Sequence, residues 1–124
     1  MKKIFVYGSL MSGLDTDGNM NGAKLVHADC RTLHKYAMYI YEDYPFIFEG
    51  RSNYQIKGEL YEVPADVLKH LDAYEGDFYF RKLAEIECGE ETVSAFVYFG
   101  RGHFFGMKEV KGGDYRAFRG KDGN

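Results

Sequence analysis

The clearest apolar periodicity in the chain lies between Pro64 and Gly76. Side chains with the spacing of one helix face recur there: Val67, Leu68, Leu71 and Tyr74. A proline is tolerated in a first helical turn, and a glycine often ends a helix because it adopts left-handed backbone angles. The pattern therefore predicts a helix over residues 64–75 whose apolar stripe packs on a core.

Glu75 is the unusual residue of that helix, because it follows Leu71 by one turn and continues the apolar stripe. A carboxylate in the last turn also faces the negative end of the helix dipole. Burial and the dipole both disfavour the charged carboxylate, so we expect a raised pKa, which suits proton transfer near neutral pH. Two plainer interpretations stay open: a glutamate that points into water, or one that pairs with Arg81 or Lys82.

Alternation of apolar and polar residues, together with short apolar runs, predicts strands along much of the remaining chain. We expect strands at residues 3–7, 23–32, 35–41, 46–48, 55–63, 79–88 and 92–100. The last two should form a hairpin. A turn is expected at residues 42–45, a long functional or mobile loop at residues 8–22, and a bend or bulge at Gly58. Many strands with one clear helix indicate an α+β fold whose sheet closes towards a small β-barrel.

The length of 124 residues predicts a single domain over residues 1–124, large enough to bury a core without crosslinks. The pattern shows no internal repeat and no linker. In the tail, we expect residues 114–118 to dock on the core and residues 120–124 to be disordered.

The composition argues against several classes of partner. The net charge is −3 and the Lys and Arg residues are scattered, so neither a nucleic-acid-binding nor a membrane-binding surface is predicted. The apolar run near the N-terminus is too short for a signal peptide or a membrane span, so a cytoplasmic protein is expected. Strands rich in Tyr and Phe can serve a core or an interface, which leaves the oligomeric state open.

The residues that most often bind metals show no ligand spacing: Cys30, Cys88, His27, His34, His70 and His103. No metal and no cofactor is therefore expected, and each histidine is interpreted as an ordinary surface or half-buried residue. We expect the cysteines to be two reduced thiols in the core, with one disulfide between them as the open alternative. No serine stands in a GxSxG motif.

The first predicted strand ends in Tyr7-Gly8-Ser9-Leu10, which is a second candidate site. A glycine directly after a strand lets the chain turn sharply and brings backbone N–H groups close to a ligand. Successive N–H groups form a concavity that holds a carboxylate, a phosphate or a developing oxyanion. The plainer alternative is that Gly8 only permits a turn and Ser9 only caps it.

Several short motifs stand in order along the chain: VYGSL, YP, GELYEV before the helix, LDAYEG, YFR, AFVY and, near the tail, GDYR. Their order and spacing resemble the γ-glutamylcyclotransferase-like (AIG2-like) family, and the likeness runs from Val6 to Tyr98. The resemblance implies a small mixed β-barrel with flanking helices and a cavity at one end. It also implies an enzyme of the acyltransferase or lyase type that forms 5-oxoproline from a γ-glutamyl amine or γ-glutamyl amino acid.

The same resemblance assigns the candidate site. Glu75 falls on the family's catalytic glutamate, the general base and acid of an intramolecular aminolysis. The implied substrate-binding residues are Tyr7, Gly8, Ser9, Leu10, Tyr79, Arg81 and Tyr98. Residues 11–22 and 101–124 depart from the family pattern and would surround the cavity mouth, so the identity of the leaving amine stays open.

Two alternatives to the enzyme come from other classes of protein. One is a non-catalytic module that binds a small carboxylate metabolite in the same cavity. Such a module would gain nothing from a second carboxylate beside the ligand, so Glu75 favours the enzyme. The other is an interaction protein in which Glu75 is a surface residue.

Overall fold

The computed structural model describes residues 1–50, 52–102 and 106–122 of the chain. Its strands are β1 (Lys2–Val6), β2 (Lys24–Tyr41), β3 (Tyr44–Phe48), β4 (Tyr54–Val63), β5 (Tyr79–Cys88), β6 (Glu91–Gly100) and β7 (Lys108–Glu109). Its α-helices are α1 (Ala65–Glu75) and α2 (Tyr115–Asp122). A single turn of 3₁₀ helix, Gly76–Phe78, joins α1 to β5.

Five strands close into a mixed β-barrel in the order β2-β4-β1-β6-β5, because β5 pairs back onto β2. The pairing of β1 with β6 is parallel, and the other pairings of the barrel are antiparallel. Strands β3 and β7 extend the sheet by pairing with the second half of β2. The predicted α+β fold with a small mixed barrel is therefore confirmed.

The first strand occupies the centre of this architecture. It pairs antiparallel with β4, with Ile4 opposite Tyr61, and parallel with β6, with Ile4 opposite Phe96. A strand flanked on both edges satisfies its backbone hydrogen bonds and leaves its apolar side chains to the core. The hydrophobic core holds fully buried residues from several elements: Ile4, Phe5, Ile56, Leu71, Ile86 and Val97.

The expectation of two separate strands at residues 23–32 and 35–41 is wrong, because β2 runs unbroken through both. Its pairing with β4 shifts register between Leu25 and His27, between His27 and Cys30, and between Arg31 and Lys35. β2 carries one extra residue at each of the first two shifts and two at the third. Bulges of this kind let one long strand bend around a barrel. The irregularity expected at Gly58 is therefore in the partner strand.

Helix α1 follows the predicted stripe with two differences. Pro64 is the cap that precedes the helix, and its carbonyl accepts a hydrogen bond from the Leu68 N–H at 3.1 Å. Leu68 and Leu71 are buried as expected. Tyr74 is 39% exposed instead. Gly76 ends the helix with a φ of 67°, a backbone angle that glycine adopts readily.

The cysteine prediction is wrong, since Cys30 and Cys88 form a disulfide. The two residues lie directly opposite each other in the antiparallel pairing of β2 with β5. Their Cα atoms are 4.6 Å apart, which lies within the range that a disulfide spans. The register that closes the barrel therefore also brings the two thiols together.

The tail docks on the barrel through α2, which the sequence pattern had not predicted to be helical. Tyr115 is buried and donates a hydrogen bond from its hydroxyl to the Asp43 carbonyl at 2.9 Å. Gly120 lies within α2, which the structure describes as far as Asp122. His103 and residues 123–124 lie outside the described residues. Neither described helix is long and apolar enough to cross a membrane.

We predict that Gly58→Ala destabilises the fold. A Cβ at this position would overlap the Val6 carbonyl oxygen and lie 2.7 Å from the Phe5 ring. Overpacking of a barrel interior typically costs about 1–3 kcal/mol. Urea denaturation should measure that loss. Gly120→Ala is the matched control, because nothing lies within 4 Å of its added Cβ. An unchanged midpoint for Gly58→Ala would contradict the close approach of β1 and β4.

Candidate functional site

A narrow cleft with a volume of about 40 Å³ opens where the end of β1 meets the end of α1. The loop after β1 forms one wall, and the last turn of α1 forms the opposite wall. Residues of β3, β5 and β6 complete the lining, which consists of Phe5, Val6, Tyr7, Gly8, Ser9, Leu10, Tyr44, Pro45, Tyr74, Glu75, Tyr79 and Tyr98. The fold therefore brings both candidate sites of the sequence into one cleft.

Glu75 is half-buried in this cleft, and burial raises the pKa of its carboxyl to about 7. No hydrogen bond or ion pair from the described residues reaches that carboxyl. The two cations that the sequence offered as partners are engaged elsewhere, Arg81 with Asp72 and Lys82 with Glu49. An acid that is desolvated and lacks a counter-charge exchanges its proton near neutral pH.

The loop after β1 turns at Gly8, which is buried against Pro45. A Cβ on Gly8 would lie 2.5 Å from the Pro45 ring, so only glycine permits this approach. The Gly8 carbonyl accepts a hydrogen bond from the Met11 N–H at 3.1 Å. No backbone carbonyl of the described residues accepts from the N–H groups of residues 8–10. Those N–H groups are available to a ligand.

Three tyrosines of the cleft have their hydroxyl protons committed to other parts of the protein. Tyr7 donates to the Tyr98 carbonyl at 2.7 Å, and Tyr79 donates to the Pro45 carbonyl at 2.8 Å. Tyr98 donates to an Asp72 oxygen at 2.6 Å. Burial raises the pKa of all three hydroxyls, and the nearby Glu75 charge raises each further. Each phenol therefore stays protonated and offers only lone pairs to a ligand.

Arg81 is the one predicted binding residue that does not line the cleft. Its guanidinium holds the Asp72 carboxylate through two hydrogen bonds, at 2.9 and 3.1 Å, and lies 4.3 Å from the centre of the Phe96 ring. Asp72 in turn accepts a hydrogen bond from Tyr98, so Arg81 is connected to the cleft only through Asp72 and Tyr98. A direct contact of Arg81 with substrate stays a prediction.

A family model for gamma-glutamyl cyclotransferases of the AIG2-like type matches residues 4–117 of the chain. The match spans every element from β1 into α2, including all the residues that line the cleft. The chain belongs to this gamma-glutamyl cyclotransferase, AIG2-like family. The resemblance drawn from the motifs is confirmed.

Individual relatives agree with the family. The Methanocaldococcus jannaschii protein named "Putative gamma-glutamylcyclotransferase MJ1514" is 36% identical over 125 residues, covering 97% of this chain and all of the relative. The crystal structure of an AIG2-like protein from Mus musculus superposes with a TM-score of 0.79 at 22% identity, over 90% of this chain and 87% of the mouse chain. At that identity the likeness shows the fold alone.

YkqA from Bacillus subtilis superposes with a TM-score of 0.83 at 20% identity. The superposition covers 98% of this chain but only 42% of YkqA. This chain therefore corresponds to less than half of that protein, and the comparison again concerns the fold.

Asp72 is a residue of the site region that the sequence pattern did not single out. It precedes Glu75 by one helical turn, and its carboxylate fixes both Arg81 and the Tyr98 hydroxyl. Its signal in the sequence was its spacing from Glu75, since residues three apart share a helix face. That spacing alone does not reveal the partners, because they lie on β5 and β6.

The sequence pattern did not single out Glu59 either, because the alternation of residues 55–63 predicts only that Glu59 lies in a strand. It is 5% exposed, and its carboxylate accepts from the Ser12 N–H at 2.7 Å and the Ser12 hydroxyl at 2.9 Å. The Tyr61 hydroxyl and the Arg116 guanidinium complete its partners at 2.9 and 3.3 Å. Glu59 therefore ties the loop after β1 and helix α2 to the barrel.

We predict that the stability gap between the wild type and Glu75→Gln depends on pH. Below pH 4.5, the ordinary pKa of the group, Glu75 is neutral in the folded and unfolded states alike. As the pH rises to about 7, only the unfolded chain releases the proton, so the wild type loses stability relative to the variant.

The expected loss is on the order of 3 kcal/mol, complete above pH 7. Guanidinium denaturation of both proteins between pH 4 and 8.5 measures it. A gap that stays constant over this range would contradict the burial of the carboxyl.

Proposed function

We propose that this protein is a γ-glutamylcyclotransferase that releases 5-oxoproline from a γ-glutamyl amine or a γ-glutamyl amino acid. The observation that carries the proposal is the half-buried carboxyl of Glu75, which shares a cleft with the unpaired N–H groups of residues 8–10. The family model and the name of the archaeal relative support the class of reaction.

The reaction needs only an internal attack and proton transfers. The α-nitrogen of the substrate attacks its own γ-carbonyl carbon, a new C–N bond closes the five-membered ring, and the C–N bond to the leaving amine breaks. The α-nitrogen loses two protons, and the departing nitrogen gains two when it leaves as an ammonium ion. Glu75 takes one proton from the α-ammonium group and returns it to the leaving nitrogen, and water balances the other.

The loop after β1 favours a negatively charged group of the substrate, whereas Glu75 favours a positively charged one. Its backbone N–H groups suit either the α-carboxylate of the substrate or the oxyanion that develops on the γ-carbonyl. Because Gly8 packs against Pro45, the loop is held in place before the substrate arrives. A preformed set of donors avoids reorganisation during the reaction, and folding the glutamyl chain into an attack geometry adds an entropic contribution.

The tyrosines of the cleft complement the ammonium end of the substrate. Tyr7, Tyr79 and Tyr98 each donate their proton to the protein. Their oxygens can therefore only accept, and an ammonium group carries donors alone. With Glu75 beside them, the tyrosine oxygens favour the α-ammonium group of the substrate over its carboxylate.

We predict that Glu75→Gln abolishes 5-oxoproline release while retaining the fold. Glutamine fills the same space but cannot carry a proton between the two nitrogens, and such transfer contributes about 10²–10⁴-fold in rate. For the wild type, kcat/KM should rise with pH through about 7, as Glu75 becomes ionised and able to act as a base. Chromatographic detection of 5-oxoproline measures both effects.

The matched control is Asp77→Asn, an exposed carboxylate two residues further on that lines neither the cleft nor its mouth. It should retain turnover. Near-wild-type turnover by Glu75→Gln would remove Glu75 from the mechanism. Binding of γ-glutamyl compounds by calorimetry, with no product from any of them, would instead favour a non-catalytic binding module.

We predict that Tyr98→Phe lowers kcat/KM about tenfold, as expected for the loss of one hydrogen bond to a charged group. The variant loses the oxygen that faces the cleft and also the bond to Asp72. Steady-state kinetics at saturating and subsaturating substrate measure the change. Wild-type kinetics for Tyr98→Phe would exclude Tyr98 from substrate binding.

A further inference from the structure

The cleft widens into a second cavity, here called the vestibule, with a volume of about 340 Å³. Tyr44, Tyr74, Glu75 and Tyr79 line both spaces, so the vestibule is continuous with the cleft. The end of β2, the turn after it, strand β3 and the 3₁₀ helix supply the remaining lining: Tyr41, Glu42, Phe46 and Phe78. A substituent on the leaving amine that passes Glu75 enters this space.

The vestibule gathers a large share of the exposed apolar side chains among the described residues. Phe78 is 75% exposed, Tyr41 is 53% exposed, and Tyr44 is 50% exposed. Large apolar side chains that cluster on a surface usually mark a binding site. Here they surround a concave space beside the proposed catalytic carboxyl, rather than a flat face.

The inner wall of the vestibule is already organised. The Tyr79 ring stacks on Phe46 with a centroid distance of 4.4 Å and an angle of 5° between the ring planes. The hydroxyl of Tyr79 is held by the Pro45 carbonyl at 2.8 Å, which fixes the ring orientation. This wall presents a rigid aromatic surface that suits another flat ring.

The charges around the vestibule argue against an anionic occupant. Its charged lining residues are Glu42 and Glu75, and no Lys or Arg is among the described residues that line it. Arg101 donates to the Tyr79 carbonyl at 3.4 Å, but its guanidinium lies 5.6 Å from the Phe80 ring centre, outside the lining. A phosphate or a second carboxylate would find no counter-charge there.

We infer that the vestibule is a leaving-group subsite for a neutral aromatic substituent, such as the ring of an arylalkyl amine, an inference that rests on the proposed function. A ring in the vestibule would cover the exposed faces of Phe78 and Tyr41 while it packs on the inner wall. A cationic substituent would stay hydrated at this open mouth, where solvent screens its attraction to the exposed Glu42, so it would bury less apolar surface than a neutral ring.

The test compares two substrates that differ by one phenyl ring, γ-glutamylphenethylamine and γ-glutamylethylamine. For the wild type we expect kcat/KM to be about tenfold higher with the phenyl compound, the preference that an apolar pocket gives for a matching group. In Phe78→Ala that preference should fall about threefold or more, since one of the walls is lost. The γ-glutamyl derivative of 1,5-diaminopentane serves as the cationic comparison.

Leu83→Ala is the matched control, because Leu83 is 56% exposed on β5 and lines neither cavity. It should retain the phenyl preference. Equal kcat/KM for the two substrates, or a preference that Phe78→Ala leaves intact, would overturn the subsite while the proposed function stands. Higher kcat/KM with the diamine derivative would overturn the neutral aromatic assignment.

Two further outcomes decide whether the vestibule receives a leaving group at all. No 5-oxoproline from any γ-glutamyl substrate would overturn the proposed function, and the subsite with it. Sedimentation velocity at the assay concentration tests whether the aromatic patch is covered by a second copy of the chain. A dimer that dissociates in Phe78→Ala would assign the patch to that interface and overturn the subsite.

Discussion

The fold holds one carboxyl partly out of water without giving it a counter-charge. Burial raises the pKa of Glu75 to about 7, and each unit of such a shift corresponds to about 1.4 kcal/mol against the charged form. The barrel bears this cost because α1 is anchored one turn earlier by Leu71, which is fully buried. Gly76 then ends the α-helix directly after Glu75. The proposed chemistry depends on this constraint.

Hydrogen bonds among the other residues of the cleft determine which groups face that carboxyl. Arg81 keeps Asp72 engaged, Asp72 takes the proton of Tyr98, and the Tyr98 carbonyl takes the proton of Tyr7. The series leaves phenol oxygens as acceptors near Glu75, while the loop after β1 presents N–H donors. The proposed substrate, with an ammonium and a carboxylate on the same carbon, would therefore meet acceptors at one pole and donors at the other.

The sequence predicted what local periodicity controls and missed what strand register controls. Glu75 could be identified because the helical repeat placed it on a buried stripe, and the structure agrees with that burial. Tyr74 obeys the same repeat yet is exposed, because the repeat does not say where the barrel edge lies. The disulfide of Cys30 with Cys88 depends on the pairing of β2 with β5, and the role of Asp72 depends on side chains from β5 and β6. Neither the disulfide nor the contacts of Asp72 can be read from the spacing of residues along the chain.

The parts of the cavity differ in how closely the barrel constrains them. The loop at Gly8 and the glutamate at the end of α1 are fixed by a buried strand and a buried helix face, so they can change little without loss of the fold. The vestibule comes instead from the turn at Glu42 and from Phe78, both at the surface. Surface turns accept substitutions that buried strands do not. Under the proposed function, substitutions in these surface turns would change the preferred leaving amine without altering Glu75 or the loop at Gly8.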